Sequence, residues 1–184
     1  MNKLSFDSAS ETCIPSLAKA LLSLSKRETK PAVILCVGSD RLTGDSLGPL
    51  VGYHLTRSHN INAFVYGTLD CPVTAKNLLE TSEFIKTRHP RCRVLVVDAS
   101  LGCAEDVGVI RLSRGGINPG AGVNKVLPRV GDVSITAVVN VLSDDRKTLL
   151  AATHLSLVYK LSLLISQAIA EAFKIKQSIS AILA

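Results

Sequence analysis

The chain has no tryptophan, one methionine, four phenylalanines and three tyrosines among 184 residues, an aromatic share of 4%. So few rings argue against a stacking platform for single-stranded nucleic acid, and they oblige the core to be aliphatic. No CxxC pair exists. The five cysteines (Cys13, Cys36, Cys71, Cys92, Cys103) are odd in number and Cys36 lies in an apolar run, so a reduced, intracellular protein is expected rather than a disulfide scaffold or zinc ribbon. The four histidines form no HExxH, no serine lies in GxSxG, and GxGxxG is missing. The most apolar late stretch, Leu155 to Phe173, is broken by Lys160, Gln167 and Glu171, which argues against a membrane span. Near the N-terminus Asp7 and Glu11 are wrong for a signal peptide. Lys and Arg outnumber Asp and Glu by 21 to 15, but they are scattered, so a solvated basic surface is expected and nucleic acid is not an expected partner.

Hydrophobic residues make up 47% of the chain and mean hydropathy is +0.31, which suits one domain, residues 1–184, with a real core. Residues 1–12 are Ser-rich and are expected to be loose. Pro15 to Lys26 reads as a helix opened by proline in its first turn, with Leu17, Leu21 and Leu24 at helical spacing. Short apolar runs at Ala32–Val37, Ala63–Tyr66 and Val94–Val97 read as strands, the first and third buried on both faces. Val107–Leu112 is expected as an antiparallel edge strand and Ser134–Val141 as a fifth strand. Helices are expected after Asp45, over Val73–Lys86 with Leu78, Leu79 and Ile85 inward, and over Arg146–Lys174. This order predicts a three-layer α/β/α sandwich around a mixed, mostly parallel sheet of about five strands.

Two aspartates carry the most chemistry. Asp45 lies in the loop after the first apolar strand, and Asp98 ends Val94-Leu-Val-Val-Asp. In an open α/β sheet such loops gather at one edge, where ligands bind, so the two carboxylates are expected to share a cleft. A phosphate loop is rejected: Gly38 and Gly44 are separated by five residues, and Asp45 stands where the lysine belongs. Asp45 could instead cap the following helix, or Gly48-Pro49 could mark the true helix start and leave it free. Asp40 and Asp70 also follow strands, where turn aspartates are common. Converging carboxylates would raise one another's pKa and let an acid and a base coexist near neutrality. Ser46, Ser100 and Cys103 are weaker nucleophile candidates. His154 reads as a helix-surface residue or a third metal ligand, the former preferred. Between Arg114 and Pro128, four glycines and two prolines mark a loop too rich in breakers for an ordinary connection.

The segments Cys36-Val-Gly-Ser-Asp-Arg-Leu-Thr-Gly-Asp-Ser-Leu-Gly-Pro-Leu-Val-Gly, Val65-Tyr-Gly-Thr-Leu-Asp, Val97-Asp-Ala, Pro119-Gly-Ala-Gly-Val-Asn-Lys and Val130-Gly-Asp-Val-Ser-Ile-Thr together resemble the YyaC-type sporulation proteins of endospore formers. That family is similar in fold to the spore germination protease and the hydrogenase maturation proteases, a phosphorylase/hydrolase-like sandwich. The resemblance implies catalytic roles for Asp45 and Asp98, as in an aspartic-type endopeptidase. The expected activity is therefore a sporulation-associated, peptidase-like hydrolase; the alternative is a catalytically inactive protein of the same fold that binds a peptide or partner. An extended peptide or protein substrate would lie against Asp40, Gly67, Thr68, Asp70, Gly120, Gly122, Asn124 and Lys125. No cofactor, resident metal or membrane contact is expected. A homodimer through the last helix or the tail from Ile179 is expected, and the setting is the cytoplasm, forespore or spore interior.

Overall fold

The computed structural model describes residues 3–25, 32–59, 61–117 and 129–182. Its elements are β1 (Lys3–Asp7), α1 (Cys13–Ser25), β2 (Ala32–Cys36), α2 (Leu47–Arg57), β3 (Ala63–Tyr66), α3 (Leu78–Arg88), β4 (Val94–Gly102), β5 (Val109–Arg114), β6 (Val133–Val141), α4 (Arg146–Ala151) and α5 (Leu155–Ile182). Short 3-10 turns at Gly44–Ser46 and Ala104–Asp106 complete the set.

The six strands form one sheet in the order β1-β5-β6-β4-β2-β3. Both partners of β5 run antiparallel to it, and the β6, β4, β2 and β3 neighbours are parallel. The sandwich is thus the expected one, with a sheet that is parallel except for β5. Two expectations are corrected. Lys3–Asp7, placed in the loose N-terminal stretch, is an edge strand, and β5 is interior because β1 covers it. An edge strand pairs on one side only and faces solvent, so it needs no continuous apolar run to announce it.

Side-chain alternation in the strands divides the core into two clusters. On one face Ile34, Cys36, Leu95, Val97, Ile135 and Ala137 pack beneath α1, α2 and α5. On the other, Val33, Leu35, Val37 and Val96 meet Leu78 and Ile85 of α3 together with Val130. The large buried side chains are aliphatic, as the shortage of rings requires.

Helix boundaries differ from the expected ones where side chains bond the backbone. Helix α3 starts at Leu78 rather than Val73: Val73 bridges Val37, and the Asn77 side chain accepts the Thr74 N–H at 2.8 Å. Leu79 is exposed, whereas Leu78 and Ile85 are buried as expected. The single helix expected over Arg146–Lys174 is broken before Leu155. There the Asn140 side chain donates to the Leu149 carbonyl at 2.9 Å, and Thr153 Oγ1 donates to the same carbonyl at 2.8 Å. By length and composition α5 could cross a membrane, but half of that stretch is buried inside the domain. Val158, Leu161, Ile165 and Ile169 are spent on the core, while Leu155, Tyr159 and Ile175 are exposed.

At Gly67 the packing leaves no room for a side chain. Its φ is +86°, and a β-carbon there would collide with the Cys36 carbonyl oxygen. We expect Gly67→Ala to cost about 3 kcal/mol or more, because neither the backbone angle nor the neighbouring strand can yield cheaply. The midpoint of urea denaturation measures this; an unchanged midpoint would show that the β3 loop adapts.

Candidate active site

Strand β2 pairs with β4 only as far as Cys36 opposite Val97, while β4 continues to Gly102 beside β6. Asp98 is therefore the first β4 residue past the end of β2, not the end of its own strand as expected. The Val37 N–H donates to the Val97 carbonyl at 2.8 Å; the Gly38 N–H then turns away, donating to the Val73 carbonyl at 2.9 Å. Residues 38–46 fold back from this point. The Ser39 N–H donates to the Asp45 carbonyl at 3.0 Å, and Gly38 makes that approach possible with φ +144° and no β-carbon to meet the same oxygen. Gly44 rests against Leu150 and Thr153. Asp45 is thereby held in the 3-10 turn that precedes α2, and this turn touches β4.

The capping alternative for Asp45 is not realised: neither the 3-10 turn nor α2 has a side-chain cap hydrogen bond. Asp45 and Asp98 are both half-buried. Burial pushes the Asp45 carboxyl up from its ordinary value, partly offset by a hydrogen bond from the Ser39 backbone. Burial pushes Asp98 well above the usual carboxylate range, and repulsion from Asp45 adds to it; the Ala99 N–H, donating to Asp98 Oδ1 at 2.9 Å, offsets part of the rise. The charge of Asp45 is thus felt at Asp98, and the two carboxyls form one electrostatic unit in which both are pushed upward, Asp98 further.

Asp40 and Asp70 do not join them in burial. Both are exposed, and Asp70 lies 3.5 Å from Arg57, in the last turn of α2. Thr68 closes a turn with Cys71, and Gly67 is wedged between β2 and α2. Gly120, Gly122, Asn124 and Lys125 lie outside the described residues. The stem of their loop, Ile117 paired with Val130, leaves the sheet where β4 begins and packs on the α3 side.

Ser46 is occupied, its hydroxyl donating to the Thr43 carbonyl at 2.7 Å, and Cys103 is an exposed free thiol. Ser100, two residues along β4 from Asp98 and on the same face by alternation, has a buried hydroxyl with no hydrogen-bond partner among the described residues. Thr136 sits opposite Asp98 in register on β6. Its signal in the sequence was only the alternation of a strand with no chemistry of its own. His154 is exposed at the start of α5. Among the described residues no three His, Cys, Asp or Glu side chains gather closely enough to hold a metal ion, so the two carboxylates alone do not make a complete metal site.

A carboxyl whose folded pKa exceeds its unfolded value is protonated first in the folded state. Its folded form thus loses relative stability as pH rises from the ordinary value of 3.8 through the raised one. Asp98→Asn keeps an acceptor for the Ala99 N–H and removes the buried ionisation. We expect it to melt above wild type at pH 7, by about 2–4 °C per kcal/mol relieved, with the gap closing towards pH 4. Thermal melts across that range check this; a variant that melts lower at pH 7 would make the ionised carboxylate stabilising.

A family model described as a protein of unknown function (DUF1256) matches residues 5–168. YyaC of Bacillus subtilis (strain 168) is 44% identical over 140 residues, which cover 76% of this chain and 68% of YyaC. Among solved structures, the [NiFe] hydrogenase maturation protease HycI from Thermococcus kodakarensis KOD1 superposes with a TM-score of 0.56 at 17% identity, over 84% of this chain and 99% of HycI. The last likeness is one of fold alone, an α/β sandwich shared with that protease. With most of its length matched by the family model, the chain belongs to the DUF1256 family.

Proposed function

We propose that the protein is a peptidase-like hydrolase in which Asp45 and Asp98 work as a base and an acid. The observation that carries this is the pair of half-buried carboxyls pushed upward by burial and, at Asp98, by its neighbour's charge. An amide is cleaved by adding water across the C–N bond. Charged Asp45 takes a proton from the attacking water as its oxygen bonds to the carbonyl carbon. Protonated Asp98 gives its proton to the leaving nitrogen as the C–N bond breaks. Resemblance to the YyaC-type proteins supports a setting inside a sporulating cell, with a peptide or protein as substrate.

Proteome-derived peptides incubated with wild type, Asp45→Asn and Asp98→Asn test the reading. Wild-type cleavage should fall by about 10²–10⁴-fold in each variant, within the range for loss of a general acid or base. The wild-type rate should decline at low pH as Asp45 gains a proton and at high pH as Asp98 loses its own. Full cleavage by a folded Asp98→Asn protein would remove Asp98 from the chemistry. Retention of peptides without cleavage by wild type would favour a peptide-binding protein of the same fold.

A further inference from the structure

A concavity of about 320 Å³ lies at the edge of the sheet where β4 begins, away from the acid pair. Its walls are the end of α3, the turn from α3 into β4 and the stretch entering β6, with Leu35 at the floor. Three basic side chains line it: Lys86, Arg91 and Arg129. All three are exposed, and none has a carboxylate within ion-pair distance among the described residues. Asp132 also lines the groove, but its Oδ2 accepts the Val94 N–H at 2.9 Å and so fixes the start of β4. One of the cations, Arg129, is held in place. Arg129 Nε donates to the Gly116 carbonyl at 3.0 Å, and its guanidinium lies where a β-carbon on Gly115 would stand. That bond leaves the two terminal nitrogens of Arg129 as donors.

Arg91 supplies an independent observation. It is the one non-glycine with positive φ among the described residues, at +66°. The turn after His89-Pro90 needs a left-handed residue, and glycine or asparagine would serve at less cost. An arginine there accepts backbone strain and sets a guanidinium at the mouth of the groove. Strain of this kind concentrates at binding sites. His89 lines the same wall and is immobilised, its Nε2 2.6 Å from Tyr66 Oη and its ring stacked on Phe64 with centroids 4.0 Å apart.

We propose that this groove binds a small phosphorylated compound, its phosphate held by Arg91, Arg129 and Lys86. Guanidinium forks match phosphate oxygens bidentately, and an ammonium adds a point charge beside them. The groove has the volume of a small-molecule site, and its concavity favours a compact anion over a polymer backbone. The site is independent of the peptidase reading and stands or falls separately.

Calorimetric titration of the full chain with pyrophosphate tests it, beside backbone-amide chemical shifts from NMR. Saturable binding is expected, with shifts at His89–Cys92 and Gly131–Asp132. Lys86→Ala and Arg91→Gly should each weaken binding about tenfold, equivalent to about 1.4 kcal/mol. Arg91→Gly should not lower Tm, because glycine relaxes the turn; this separates loss of a ligand contact from loss of fold. No saturable binding, affinity unchanged in both variants, or shifts confined to the loop of Asp45 would overturn the proposal. Tighter binding to a single-stranded oligonucleotide than to pyrophosphate would overturn the small-ligand assignment.

Discussion

The unequal lengths of β2 and β4 set the candidate active site. With β2 finished, the side of β4 that β2 would cover is open from Asp98 onward. Continuing the ladder would send the Ala99 N–H to β2; the Asp98 carboxyl takes that N–H instead. The vacated lane is filled by the turn that carries Asp45, and the close fit of Gly38 and Gly48 against Asp45 and Val37 lets that turn approach. A carboxyl needs only this much to be lifted out of its ordinary range: a wall of apolar strand on one side and a second carboxyl on the other.

Scaffold and site pull in opposite directions here. Aliphatic side chains fill both faces of the sheet, and each large one buried contributes about 1.5–3 kcal/mol. The two aspartates draw on that reserve, since a buried carboxyl near another costs free energy whenever it ionises. Ser100, with a buried hydroxyl lacking a partner among the described residues, is a further cost at the same place. At the far edge of the sheet the imbalance is of the other sign, in exposed cations with no carboxylate within ion-pair distance among the described residues.

Much of the fold was legible because continuous aliphatic runs have few uses. Ala32–Val37 and Val94–Val97 had to be strands covered on both faces, and Pro15 had to lie in the first turn of a helix. Features set by single hydrogen bonds were not legible. The break before α5 depends on Asn140 of β6 reaching Leu149 in α4, and α3 starts late because Val73 is held by Val37. Strand β1 exists because β5 offers it an unpaired edge, and its own residues, mostly exposed, carry no strong pattern.

By itself the sequence determined that the core is aliphatic, that the chain is an α/β sandwich, and that Asp45 follows one buried strand while Asp98 lies on another. Those properties follow from composition and periodicity, which act over a few neighbouring residues. Tertiary structure alone decided that the two carboxyls share one electrostatic environment while Asp40 and Asp70 remain on the surface. It also decided that Arg91 and Arg129, 38 residues apart in number, face one groove. Burial and charge proximity are properties of the assembled layers, and no local pattern encodes how far one strand outruns its neighbour.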